Sequence, residues 1–153
     1  MGEKRMVLFV DDEEKILKGL QWGLIDEPYE SLFATRAKQA LHLLEKHDIH
    51  VICTDMRMPE MNGLELLKIV KQRHPHVVRL ILSAYAQVGT LLQAINQGEI
   101  FRFITKPWKM EGEFKPFINQ AIEYYNLKAE RDQLIAELER YKQAASKAET
   151  AQG

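Results

Sequence analysis

Apolar and polar positions alternate in blocks along this chain. Met6 to Val10 is an unbroken apolar run closed by Asp11 and Asp12. Five apolar residues in succession predict a strand buried on both faces, as a parallel sheet requires. Glu13 to Leu24 follows, with Ile16, Leu17 and Leu20 at helical spacing. A weaker strand is predicted over 30–34, then a helix over 37–46 that places Ala40, Leu41 and Leu44 on one face. Val51 to Thr54 is the next short apolar run, and Asp55 ends it. Pro59, Asn62 and Gly63 mark 56–63 as a loop. A helix is expected from Leu64 to Arg73, a strand from Val77 to Leu82 ending at Ser83, and a helix from Val88 to Gln97 closed by Gly98. The fifth strand, Phe101 to Thr105, leads into Lys106-Pro107. Strand and helix alternate five times, which predicts an α/β fold: a doubly wound, five-stranded parallel sheet.

From about Glu111 the pattern changes to one long helix that outlasts the domain. Steps of three and four pick out Phe117, Gln120, Tyr124, Leu127, Arg131, Leu134, Leu138, Tyr141 and Ala145. Seven of these nine are apolar or aromatic, a heptad-like seam suited to a parallel two-stranded coiled coil. Arg131 weakens that seam unless it snorkels outward. The small, polar residues from Ala144 onward are expected to fray, so the organisation reads as a domain over 5–125, a helical linker over 126–145 and a loose tail over 146–153.

Composition narrows the function classes. The 153 residues are 46% hydrophobic, enough for one buried core, and 21 Lys+Arg against 22 Asp+Glu leave a net charge of -1. A protein held to a duplex mainly by phosphate contacts shows a basic excess, so direct nucleic-acid binding is not expected. One cysteine permits no internal disulfide, which fits a reducing, cytoplasmic setting. No apolar run approaches the roughly 20 residues that span a bilayer, so no membrane segment is expected. Cys53 reads as core. The histidines His42, His47, His50, His74 and His76 read as surface residues with no zinc-site spacing.

Open parallel sheets bind ligands beyond the carboxyl ends of their strands. The residues that close strands one, three, four and five are Asp11 and Asp12, Asp55, Ser83 and Lys106. Taken singly, each has an ordinary reading as a helix cap, a turn former or a solvated loop residue. Together they bring three carboxylates, a hydroxyl and an ammonium to one rim. Oxygen ligands suit a hard cation such as Mg2+, and a compact lysine charge suits a phosphoryl oxygen. The set therefore points to phosphoryl transfer with the Asp55 carboxylate as nucleophile. No Gly-rich phosphate loop accompanies it.

The stretches VLFVDDE (7–13), VICTDMRMPEMNG (51–63), RLILSAYA (79–86) and FRFITKPW (101–108) together resemble the receiver domain of two-component response regulators. The resemblance covers Met6 to about Tyr125 and implies the flavodoxin-like form of the fold. It implies Asp55 as phosphoacceptor, Asp12 as a direct Mg2+ ligand, Asp11 as an acid acting partly through water, and the backbone carbonyl of Arg57 as a further ligand. Ser83 and Phe103 match the switch positions, Lys106 would pair with a phosphoryl oxygen, and the Lys106-Pro107 bond is expected to be cis. Arg57 and Tyr85 stand where the family tunes the lifetime of the aspartyl phosphate. The implied partners are a sensor histidine kinase or phosphotransfer protein, and a second copy through a seam of Phe117, Tyr124, Leu127, Leu134, Leu138 and Tyr141.

Two other function classes are weighed against this. A haloacid-dehalogenase-like phosphatase also uses Asp, Mg2+, Ser and Lys, but wants an acid two residues after the nucleophile, where this chain has Arg57. A phosphorylation-independent dimerisation module would be expected to lack part of the acid set. The segment from Gly98 to Trp108 is similar to receivers linked to cyclic-dinucleotide phosphodiesterase, cyclase or transcriptional ATPase outputs. Two organisations stay open: a receiver with its linker from a longer regulator, and a short protein with a helical tail.

Overall fold

The structure, a computed structural model, describes residues 4–84 and 88–152. The five strands are β1 (Met6–Val10), β2 (Glu30–Ala34), β3 (Val51–Asp55), β4 (Val78–Ser83) and β5 (Arg102–Thr105). They form one sheet in the order β2-β1-β3-β4-β5, with every neighbouring pair parallel. The helices between them are α1 (Glu14–Gly23), α2 (Ala37–Lys46), α3 (Gly63–Arg73) and α4 (Val88–Asn96). A short π-helical turn over Met110–Phe114 then leads into α5 (Lys115–Gln152).

Successive strand residues face opposite sides of the sheet, so the apolar runs feed two cores. On one side Leu8, Val10, Ile52 and Ile81 pack with Ala40 and Leu44 of α2, Leu66, Leu67 and Val70 of α3, and Leu91 of α4. On the other, Val7, Phe9, Cys53, Leu80, Leu82 and Ile104 pack with Leu17 and Leu20 of α1 and Ile118 and Ala121 of α5. Every residue of β3 is buried. That is why its sequence does not alternate between apolar and polar positions, and its two polar residues, Thr54 and Asp55, are buried with the rest. Cys53 lies in this core, where burial pushes its thiol well above the usual range. Met56, Met58 and Met61 lie partly buried against the core beneath α2, α3 and α4.

One expectation needs correction. His50 is a buried residue, only 3% exposed, not a surface one. Its Nδ1 accepts a hydrogen bond from the Met6 amide at 3.0 Å, and its ring meets Tyr125 of α5 edge-on at 4.8 Å. The last helix, α5, runs to Gln152. The Ala, Lys, Glu and Gln residues that supply most of 144–152 are good helix formers.

Candidate functional site

Each acid of the rim is delivered by a strand end, and backbone bonds between neighbouring ends hold the rim together. The Asp11 amide donates to the Ala34 carbonyl, Met56 to Leu82 and Lys106 to Ser83, at 2.8–3.1 Å. Beyond Asp55 the chain turns at once. Gly63 donates to the Met56 carbonyl and starts α3, and the Asn62 side chain accepts from the Glu65 amide as its cap. A Cβ on Gly63 would overlap the Asp55 carbonyl oxygen, so only glycine lets α3 start this close to the strand.

Carboxylate oxygens of Asp11, Asp12 and Asp55 all lie within 4.8 Å of one another. Asp11 is wholly buried; one of its oxygens accepts from the Glu13 amide at 2.9 Å and the other from Lys106 Nζ at 2.9 Å. Asp12 is exposed and aims into the same space. Lys106 Nζ also lies 3.1 Å from Asp55 Oδ1, bridging two acids from strands that are not neighbours of β5. Burial opposes the Lys106 charge, but its hydrogen bonds and attraction to Asp11 and Asp55 prevail and raise its pKa. The Asp55 carboxyl is pushed up to about 6, chiefly by burial and next by the Asp11 charge, with Lys106 pulling the other way. Three acids crowded around one lysine form a site still short of positive charge, and the all-oxygen set fits Mg2+. This is the magnesium site of the chain.

The acids open onto a cavity of about 310 Å³ lined by Asp12, Asp55, Met56, Arg57, Ser83 and Lys106, among others. Ser83 is buried at its wall, and Phe103 of β5 is half-buried behind, packed on the core under α2, α3 and α4. The Lys106-Pro107 bond is cis, and Trp108 beyond it packs on Phe114 at 4.8 Å. Tyr85 lies outside the described residues. A second, more apolar cavity of about 630 Å³ adjoins the first, between α1 and the β5–α5 connection, with Ile16, Leu20, Trp108 and Met110 in its walls.

The structure divides the residues expected along the α5 seam. Phe117 is half-buried under the Arg102 guanidinium, 4.7 Å from its ring, and Tyr124 stacks on Phe101 at 4.8 Å. Both thus pack on their own domain. Leu127, Leu134, Leu138 and Tyr141 stand exposed by 55–77%, and Ile135 beside them by 43%.

Sequence reasoning missed Gly63 and His50 as parts of this framework. The Asn-Gly pair at 62–63 was a usable signal for the first, since asparagine is a favoured helix cap and glycine permits a close backbone approach. His50 gave none, because its partners Met6 and Tyr125 come from distant segments.

Comparison with known proteins agrees with this geometry. The family model described as "Response regulator receiver domain" matches residues 7–113. The hydrogenase transcriptional regulatory protein HoxA of Cupriavidus necator is 34% identical over 139 residues, covering 90% of this chain and 28% of its own length. The solved signal receiver domain of an HD domain-containing protein from Pseudomonas fluorescens Pf-5 is 33% identical with a TM-score of 0.79, covering 86% of this chain and 96% of that one. The beryllofluoride-activated NtrC4 receiver domain dimer is 31% identical with a TM-score of 0.72, covering 78% of this chain and 98% of that one. The chain spans about a quarter to a third of the length of the curated relatives it matches.

Proposed function

Because this chain belongs to the response regulator receiver domain family, we propose that it is the phosphorylation-set switch of a two-component phosphorelay, fed by a sensor histidine kinase or phosphotransfer protein. The observation that carries this reading is the Asp55 carboxylate, held 3.1 Å from Lys106 Nζ at the edge of an acid-lined cavity. An Asp55 oxygen attacks the phosphorus of the donor's phosphohistidine in line. The new P–O bond forms as the P–N bond breaks, and the donor imidazole keeps the electron pair. Asp11, Asp12, Asp55 and the backbone carbonyl of Arg57 would hold a magnesium ion, which would supply positive charge to the phosphoryl oxygens. Lys106 already faces the Asp55 oxygen and moves its contact to a phosphoryl oxygen. The apolar cavity along α1 opens beside Lys106, giving the donor protein a surface from which to reach Asp55.

The product adds about 1.5 to 2 negative charges to the rim. Ser83 then turns its hydroxyl to the phosphoryl group, and Phe103 moves into the space released. The surface of α4, β5 and the start of α5 changes with it. The exposed stripe of α5 supports a homodimer as the readout, with 5–125 as the receiver and 126–145 as its helical linker to an output. The single cysteine supports a cytoplasmic role and the balanced charge one without direct nucleic-acid contact, and among the described residues no helix is long and apolar enough to cross a membrane.

Incubation with acetyl phosphate and Mg2+, read on a phosphate-affinity gel, is the direct test. A retarded band that is lost in Asp55→Asn is expected; absence of a band in the wild type overturns the reading. Arg57, at the cavity wall, and Tyr85 act as shields against in-line water. Replacing both by alanine is expected to shorten the half-life of the phosphoprotein, and an unchanged half-life removes them from that role.

A further inference from the structure

We propose that the apolar cavity beside Lys106 is a leaving-group pocket for small phosphodonors, and that it fits this chain to mixed anhydrides of phosphoric acid with an aromatic carboxylic acid. The inference deepens the phosphoacceptor reading of Asp55 and rests on it.

The cavity holds about 630 Å³, against about 310 Å³ around the acids, and Ala84 and Lys106 line both. Whatever is attached to a phosphoryl group at Asp55 and Lys106 therefore has the larger space next to it. Its walls suit a ring. Ile16 and Leu20 lie one turn apart on α1, and Trp108 and Met110 come from the β5–α5 connection. The Trp108 ring is braced on the wholly buried Phe114 at 4.8 Å. Met110 is seated against Gly23, where a Cβ would come 2.7 Å from its Cε. Both walls are thus set in advance, so an apolar guest has little to order on entry. Cavities of roughly 300–1,000 Å³ with apolar and aromatic walls and a few polar groups are those that take small molecules.

Gly19 is the residue that opens this space. It lies inside α1, one turn from Lys15, and lines the cavity. Glycine weakens a helix interior, yet nothing lies within 4 Å of the place its Cβ would occupy. Gly23 has Met110 to accommodate; Gly19 has no such neighbour, and its missing side chain leaves room in the cavity wall. Charge then favours an acyl phosphate as the guest. Among the described residues the lining carries two cations, Lys15 and Lys106, and no acid. An Asp55 oxygen attacks phosphorus, and the new P–O bond forms as the P–O bond to the acyl group breaks. The aromatic carboxylate departs with the electron pair, with no proton transferred and nothing oxidised or reduced. The two lysines suit that leaving anion, while Ile16 and Trp108 hold its ring before and after the step. Contact that is equal before and during reaction lowers the donor concentration required and leaves the maximal rate alone.

The test uses the whole 153-residue chain in Mg2+ and follows Asp55 labelling by acetyl phosphate and by benzoyl phosphate. Both release a carboxylate, and only the second carries a ring. Half-saturation by benzoyl phosphate is expected at about tenfold lower concentration, with similar maximal rates. Gly19→Leu, which extends a side chain from a position with open space around it, is expected to erase that difference between the donors. A second readout needs no reaction. Trp22→Phe removes a 77% exposed ring outside the cavity and leaves Trp108 as the one tryptophan. In that chain benzylphosphonate is expected to change the fluorescence saturably, and methylphosphonate at the same concentration is not. Equal half-saturation by the two donors, a preference that survives Gly19→Leu, or a Trp108 signal blind to benzylphosphonate overturns the pocket and leaves Asp55 as phosphoacceptor. Labelling by neither donor overturns the receiver reading together with this one.

Discussion

Lys106 stands between Asp11 and Asp55 at 2.9 and 3.1 Å, one cation against two buried acids with Asp12 close by. That imbalance has a measurable consequence. A carboxyl raised from 3.8 to about 6 adds stability that is complete below about pH 4 and lost as pH rises through 6. At neutral pH the ionised Asp55 therefore opposes folding. Asp55→Asn is expected to raise the melting temperature of metal-free protein at pH 7.5 by roughly 3 °C, on the scale of about 1 kcal/mol. Wild-type protein is expected to gain stability on adding Mg2+, and the variant to gain much less; thermal unfolding in chelator and in Mg2+ reads both. Gly63 gives a second residue-scale prediction. Gly63→Ala sets a Cβ against the Asp55 carbonyl oxygen, so a loss of about 2 kcal/mol and slower Asp55 labelling are expected in denaturant titration and gel assay. The rim acids were legible in the sequence because each closes an apolar run, and a strand end is visible locally. The need for glycine at 63 was only half visible, since its cause is the carbonyl of a residue eight positions back in the chain.

At the scale of elements, the sheet and its helices follow from hydrophobic period alone, because the two cores demand unbroken apolar strands and one-sided helices. What period does not reveal is how α5 is held as it leaves the sheet. His50 presents its ring edge to Tyr125, Arg5 lies 5.1 Å over the Tyr125 ring, and Arg5 Nε donates to Asn126 Oδ1 at 2.7 Å. These contacts join residues up to 121 positions apart, which no local pattern encodes. The His50 pKa is lowered from 6.5, first by burial; the Asp48 charge opposes the shift, and Arg5 and His76 add to it. A histidine with a depressed pKa contributes stability that is complete above pH 6.5 and lost as pH falls below it. Protonation also removes the acceptor that the Met6 amide uses. Since Asp55 works in the opposite sense over an overlapping range, the effect is best isolated in the Asp55→Asn background. There the melting temperature is expected to fall from pH 7 to pH 5, and replacing His50 by Gln is expected to flatten that slope.

For the whole molecule, burial along α5 stops just after Tyr125. Ile118 and Ala121 are wholly buried and Tyr125 partly so, whereas 127–151 is exposed. A chain ending at Asn126 is therefore expected to fold, to label at Asp55, and to sediment as a monomer where the full chain is a dimer. Phe117 and Tyr124 share the heptad spacing of the exposed residues beyond 126, yet they lie on β5 and its approach. A period shows that a side chain seeks cover, not whether its own domain supplies it.

The unbroken course of α5 makes it a lever. Its free part, residues 127–152, extends about 38 Å at 1.5 Å per residue. Its fulcrum is the ring of Tyr124 on Phe101, one residue from Arg102 at the start of β5. A tilt of about 5° there, the size of a ring sliding on its neighbour, sweeps the far tip through about 3 Å. A displacement too small to notice at the rim thus arrives at the end of the rod as a full atomic diameter, with no joint along the way to absorb it.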